Sequence, residues 1–441
     1  MPAPPTARDL ALRAFDAAVA AAVPQPVGVV QGGVARAGDA AVPVAGLARV
    51  LVVGAGKSAA ALFDAVVPGL RDALPRAVRI DAELLVPAGA PPPHAVPDVA
   101  CRVRAVRPPD VNESTAEARA ATREVLDAAR ALGPDALLVC LLSGGGSATL
   151  SLPWPGLDAA AEHEAVRRLA ARGASIDALN TLRRHCSAVK GGRLAQAAAG
   201  ARGVLSFLVS DVDGDLPHVI ASGPTVPDPT TFADALALAA DLPAAVCEHL
   251  ARGVRGELPE TPKQLPGNVG HAILRRPRDA LVAACDALAG AGRTVAVRAR
   301  PVPGGFDEVV RVHVNAVRAL APGTAFVSVG EAAPPRPVDA PRGGRAGHLA
   351  LAVALACEGD PARRGRVTVL VGATDGEDGT SGTSGGLVDA HVLARCRAAG
   401  VDPHDALRRC ASLDALVAAG GTLPRRATGV NVQDLRVLIV D

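Results

Sequence analysis

Three carboxylates, Asp211, Asp213 and Asp215, follow directly on an apolar run in the stretch VLSFLVSDVDGDLPHVIASGPTVPDP, residues 204–229. The run is rich in β-branched and large side chains, the composition of a buried strand, and it breaks at Ser210-Asp211 into acid, glycine and proline. Acids at the carboxyl end of a strand face the ligand crevice of an open α/β sheet, where they can hold a hard cation or receive a proton. A solvated acidic turn has the same composition.

A second set of residues has the chemistry to hold an anion. Residues 48–53 (ARVLVV) read as a buried strand, followed by Gly54-Ala55-Gly56-Lys57 and a helical pattern. Strand, glycine turn and helix present backbone N–H groups to an anion at a helix N-terminus. The P-loop pattern fails because Leu51 stands at its first glycine, whereas GxGxxG/A is met by Gly54, Gly56 and Ala59, with Asp81 after the next apolar run. Glycines easing a tight turn are the structural alternative. A second buried strand, residues 136–142 (ALLVCLL), runs into Ser143-Gly144-Gly145-Gly146-Ser147. Consecutive glycines cost chain entropy that a plain turn seldom requires and a phosphate or oxyanion nest does. GxSxG is absent there, which excludes a hydrolase elbow.

Residues 180–194 (NTLRRHCSAVKGGRL) gather Arg183, Arg184, His185, Lys190 and Arg193. A cationic lining for an anionic substrate and a solvated basic helix capped by Gly191-Gly192 both fit. The 46 basic residues include only three lysines, Lys57, Lys190 and Lys263, so each is a candidate for a position where a compact ammonium is wanted.

In the C-terminal half, the strand FVSV ends in Gly330-Glu331, Arg342-Gly343-Gly344-Arg345 precedes a helical LALAVALACE, and the strand VTVLVG runs into Ala373-Thr374-Asp375-Gly376-Glu377-Asp378-Gly379. An arginine at a helix start can grip a phosphate or carboxylate through two parallel hydrogen bonds. Singly, each of these reads as a cap or a turn acid. Five strand ends, at Gly54, Ser143, Ser210, Gly330 and Ala373, nevertheless all open into glycine plus a charge or hydroxyl. If the strands run parallel within each domain, these loops gather on one edge, and their residues are the parts needed for phosphoryl transfer with a divalent cation.

The elements that must position these residues follow from the whole chain. At 441 residues it exceeds what one core supports, so two domains are expected. Alternation of helical and strand patterns continues beyond a proline- and glycine-rich segment at 251–267, giving an α/β fold with two layered domains, residues 1–250 and 268–441, joined by that linker. Hydrophobic residues at 49% and charged residues at 20% suit a globular protein with ample core. A net charge of +2 and 2% aromatics argue against nucleic acid and against a membrane surface as partners. Eight scattered cysteines without CxxC argue against structural zinc and disulfides and for a reducing, cytoplasmic location. The N-terminus reads as an amphipathic helix and not a signal peptide.

The segments GAGKSAAAL, LLSGGGSA, VKGGRLA, SDVDGDLPHVIASGPTVPDPTT, ELPETPK, ATDGEDG and TGVNVQDLRVLIV together resemble the glycerate 2-kinase family with a C-terminal MOFRL domain, some of whose members are labelled hydroxypyruvate reductases. The resemblance spans nearly the whole chain in the same order. It implies a Rossmann-like N-terminal domain, a smaller MOFRL-type domain, and a catalytic cleft between them. It also implies ATP and Mg²⁺ as co-substrates and transfer of the γ-phosphoryl group to the 2-hydroxyl of D-glycerate or a similar small hydroxy acid. By that resemblance Lys57 and Arg345 are the catalytic cations, and Asp211 and Asp215 are candidates for magnesium. Asp211 and Asp215 are equally candidates for the substrate hydroxyl, and Asp375 is a second candidate for the base. The nucleotide falls to Gly54, Gly56, Ser143, Gly144, Gly145, Gly146, Ser147, Lys190 and Glu331. A homo-oligomer is compatible with the resemblance.

The chain departs from the family pattern in the second domain's loops, and these departures bear on the acceptor. GGRNQE becomes Gly343-Gly344-Arg345-Ala346-Gly347-His348, the threonine after the acid of GGE is replaced by Ala332, and TDGxDGPTDAAGA becomes TDGEDGTSGTSGG. Three functions therefore stand side by side: the kinase, a nicotinamide-dependent hydroxypyruvate reductase supported by the match at Gly54, and a nucleotide-binding protein without turnover.

Overall fold

The computed structural model describes residues 4–108, 113–265, 267–337 and 340–441, and the chain divides into two compact units, residues 24–274 and residues 1–23 with 275–441. The first of these carries a small antiparallel sheet of β1 (Val30–Gln31), β2 (Val34–Ala37) and β3 (Ala40–Pro43). Its main sheet has six strands: β4 (Arg49–Ala55), β5 (Arg79–Pro87), β6 (Val99–Arg107), β7 (Ala136–Leu142), β8 (Gly203–Val209) and β9 (Val269–Arg275). They lie in the order β6-β5-β4-β7-β8-β9, and β4 through β8 pair in parallel. This is the doubly wound order of a Rossmann-like domain, and it reverses direction between β4 and β7, where such sheets open their ligand crevice. Every residue of β7 and β8 is buried, which explains why both read as unbroken apolar runs.

The other unit holds β10 (Thr294–Arg298), β11 (Thr324–Val329), β12 (Val367–Ala373), β13 (Thr383–Val388), β14 (Thr422–Pro424) and β15 (Asp434–Val440), ordered β10-β11-β15-β12-β13-β14. Here the expectation of parallel strands is corrected. Among the described residues only β10 and β11 pair in parallel, and β15 enters the centre antiparallel to both β11 and β12. Since β11 and β12 both oppose β15, they point the same way, and their carboxyl ends still share one edge. The start of β15 lies between them there: Asp434 is opposite Ala373, and the Gly330 N–H donates to the Asp434 carbonyl at 3.1 Å. The helix Arg345–Glu358 is apolar on nearly every side and is buried in this unit's core with Val369, Val371 and Leu438.

The domain boundaries also differ from 1–250 and 268–441. The helix Ala7–Ala22, closed by a Thr6/Asp9 capping box, packs on the helix Pro277–Gly290 and on β12 and β15. A Cβ added at Gly372 would stand 2.5 Å from Phe15 Cε2, so this close approach requires glycine. The segment 251–267 is not a free linker throughout, because the helix Ala244–Val254 runs into it and β9 joins the sheet of the unit that precedes it.

Candidate active site

In the unit of residues 24–274, the loops after β4 and β7 are joined at the sheet's switch point. The Lys57 N–H donates to the Gly144 carbonyl at 2.9 Å, the Ser58 N–H to Ser143 Oγ at 2.9 Å, and the Ser143 N–H to the Ala55 carbonyl at 3.1 Å. Two glycines are required here by conformation and space. Gly56 has φ 107°, and a Cβ on it would meet Ser143 Oγ at 2.6 Å and the Gly144 carbonyl oxygen at 2.7 Å. Gly145 has φ 79°, and its Cβ position lies 3.6 Å from Lys57 Cγ, so the lysine side chain crosses the face of the glycine loop. Gly54, Gly56, Lys57 and residues 143–147 are thus brought together.

Asp211 and Asp215 lie, half-buried, in the loop that leaves β8, the strand beside β7. The loop stores backbone strain: Asp215 (φ 53°), Ala221 (φ 51°) and Ser222 (φ 61°) are all left-handed, at about 1–2 kcal/mol each for a residue with a Cβ. That conformation holds Ser222 Oγ 2.6 Å from Ser147 Oγ while it donates to Asn180 Oδ1 at 2.9 Å, tying the acidic loop to the glycine loop. Among the described residues, no group of three or more His, Cys, Asp or Glu side chains is assembled to hold a metal. Magnesium on a nucleotide needs one or two carboxylates, phosphates and water supplying the rest, and the Asp211/Asp215 pair matches that number.

The basic segment resolves into three environments, none of them a solvated helix face. Arg184 and Asp228 form an ion pair at 2.9 Å with almost no exposure. His185 is fully buried, its Nδ1–H donating to the Thr181 carbonyl at 2.8 Å with Nε2 3.1 Å from Glu260 Oε1. Burial pushes its pKa down. Lys190 and Arg183 instead line a cavity with Ser147 and Glu162, where burial lowers the Lys190 pKa to about 8.

In the other unit, Arg345 opens its helix and forks onto Asp434, with Nε to Oδ2 at 2.8 Å and Nη2 to Oδ1 at 2.9 Å. Its Nη2 also meets Glu331 Oε1 at 2.7 Å. Asp375, whose Oδ1 accepts from the Glu377 N–H at 2.9 Å, adds to the field that holds Arg345 charged. Asp378 caps the same helix, accepting from the N–H groups of Ala346 and Gly347 at 2.9 and 2.8 Å, and burial raises its pKa to about 6. Arg345, Glu331 and Asp375 are therefore brought together around an acid that sequence reasoning did not single out. The signal for Asp434 lay in the terminal segment NVQDLRVLIV, a polar pair leading into an apolar run. Asp228 lay inside the proline-rich end of the acidic stretch, and Glu162 carried no local signal.

Residues 10–254 match the family model described as a domain of unknown function, DUF4147, and residues 318–434 match the MOFRL family. A protein of Agrobacterium vitis that carries a hydroxypyruvate reductase name is 34% identical over 99% of this chain and 95% of its own length. D-glycerate 2-kinase of Thermotoga maritima is 31% identical over 72% of this chain and 76% of its own. The crystal structure of glycerate kinase from Thermotoga maritima superposes with a TM-score of 0.75 at 27% identity, covering 98% of this chain and 99% of that one. No described helix is long and apolar enough to cross a membrane.

Proposed function

We propose a reaction for this chain on the premise that it belongs to the glycerate kinase family and is a kinase. The reaction is transfer of the γ-phosphoryl group of ATP to the 2-hydroxyl of D-glycerate, giving ADP and 2-phosphoglycerate. The observation that carries this reading is Lys57 lying across Gly145 where two glycine loops interlock at the sheet's switch point. A lysine stem laid against a glycine loop at the switch point of a parallel sheet suits the binding of a polyphosphate.

In this mechanism the backbone of residues 143–147 and the Lys57 ammonium hold the phosphates and oppose the charge that spreads over the transferring group. Asp211 and Asp215 would hold magnesium, which would neutralise phosphate charge when bound. The glycerate 2-hydroxyl oxygen bonds to the γ-phosphorus as the bond to the β-bridging oxygen breaks, and its proton passes to a carboxylate, for which Asp211 is the candidate within this unit. Arg345, fixed by Asp434 and Glu331, is the second cation that the family resemblance assigns to the reaction. Because such a transfer is loose, positioning and charge stabilisation account for most of the rate.

The reductase alternative loses its best residue. A dinucleotide fold needs its ribose-binding acid at the carboxyl end of the second strand. Asp81 instead sits near the start of β5, opposite Leu51, and is held by Arg49 at 3.1 Å and Arg79 at 2.8 Å. Incubating the protein with D-glycerate, ATP and Mg²⁺, and separately with hydroxypyruvate and NADH or NADPH, tests the choice. Glycerate-dependent ADP release is expected, and nicotinamide oxidation without it would overturn the reading.

A further inference from the structure

Beside the glycine loop, the unit of residues 24–274 contains a cavity of about 220 Å³. Its walls include two buried charges of opposite sign that do not touch. Lys190 is 1% exposed and Glu162 9%. The Lys190 ammonium donates to the Leu150 carbonyl at 3.3 Å, and no described carboxylate lies within 4.0 Å of it. Among the described residues Arg183, the second cation, makes a long hydrogen bond to Asn180 Oδ1 at 3.4 Å. Burying such groups is costly unless they are paired, and here the space between them is open. At the rim the charges pair among themselves, His163 with Glu113 at 2.7 Å and Arg167 with Glu164. Among the described residues the interior therefore holds two cations against one carboxylate, a surplus of one positive charge.

We infer that this cavity is the acceptor site, taking a small hydroxylated monocarboxylate whose carboxylate lies on Lys190 and Arg183 and whose terminal hydroxyl donates to Glu162. A monoanion balances the surplus. The volume falls below the roughly 300–1,000 Å³ of sites for larger ligands, so a three-carbon acid fits and a nucleotide does not. Ser147, on the cavity wall, ends the loop that Lys57 crosses, so the 2-hydroxyl faces the phosphate nest. The assignment rests on the kinase reading, and it gives Lys190 to the acceptor where the sequence resemblance had given it to the nucleotide. Glu162 becomes a specificity residue: it separates acids that carry a second hydroxyl from those that do not.

Steady-state kinetics and calorimetric titration of the full chain test this. Lys190→Met is expected to raise KM for D-glycerate at least tenfold with KM for ATP unchanged. Glu162→Gln is expected to weaken calorimetric binding of D-glycerate about tenfold while leaving D-lactate, which lacks the terminal hydroxyl, unaffected. Val166→Phe, which fills the cavity from its wall without removing a charge, should abolish D-glycerate binding and spare ATP, and it stands in where a charge variant fails to fold. An active wild type whose three variants keep wild-type affinity for D-glycerate overturns the site and leaves the kinase reading intact. A wild type that releases no ADP with glycerate overturns the kinase reading, and calorimetric binding of D-glycerate, lost in Val166→Phe, then still decides whether the cavity takes hydroxy acids.

Discussion

Arg345 and Asp434, 89 residues apart, meet through two parallel hydrogen bonds of 2.8 and 2.9 Å because β15 starts between the ends of β11 and β12. The fork fixes the guanidinium plane, so Asp434 acts as a positioning residue. Asp434→Asn, which offers one acceptor oxygen in place of two, should lower kcat about 10- to 100-fold with little change in KM for ATP. The double variant with Arg345→Ala should be no slower than Arg345→Ala alone. Additive losses in that cycle would contradict the assignment.

Lys57→Ala should lower glycerate-dependent ADP release by about three orders of magnitude. The melting transition should stay in place, because the backbone N–H of Lys57, not its side chain, makes the 2.9 Å bond that joins the loops. A variant with wild-type turnover would remove the lysine from the chemistry.

Gly56→Ala places a Cβ at φ 107° within 2.7 Å of the Gly144 carbonyl oxygen. It should cost about 1–3 kcal/mol in urea unfolding and lower activity at the same time, since the two glycine loops must separate. Unchanged stability would mean the loops yield freely.

The β10–β15 unit should weaken in acid, and the sign follows from three groups. Burial lowers the pKa of His313 and His348 from 6.5 to about 4, so between those values the unfolded chain takes up protons and the folded chain does not. Each histidine then withdraws about 3 kcal/mol as the pH falls from about 6.5 to about 4. Asp378 works the other way: burial raises its pKa from 3.8 to about 6, so it adds stability as the pH falls through that range, by about 3 kcal/mol. Two histidines outweigh one aspartate. Urea midpoints should fall between pH 7 and pH 4.5, and His313→Gln should flatten the slope; a midpoint indifferent to pH, or a slope unchanged in the variant, would refute it.

Elements whose local composition decides their structure were legible before the structure. The run ALLVCLL is a strand because it is buried on both faces, and it spans residues 136–142 as read. Lys57, Arg345 and the glycine loops were visible because glycine and a charge after a strand seldom serve packing alone. What stayed hidden depends on long-range pairing. Nothing in NVQDLRVLIV says that β15 enters the middle of a sheet begun over a hundred residues earlier, yet that insertion places Asp434. Glu162 sits among polar neighbours on an ordinary helix pattern, and only burial beside Lys190 distinguishes it. The helix Ala7–Ala22 has a clear apolar face, but its partner, the helix Pro277–Gly290, is far along the chain.

The most direct test is a product assay. Purified protein is incubated with ATP, Mg²⁺ and D-glycerate, ADP release is followed, and the phosphorylated acid is identified by NMR. Release of ADP that depends on D-glycerate, with 2-phosphoglycerate formed in equal amount, is the expected result. ATP turnover indifferent to D-glycerate, or no ADP with NADH oxidised by hydroxypyruvate, would contradict it.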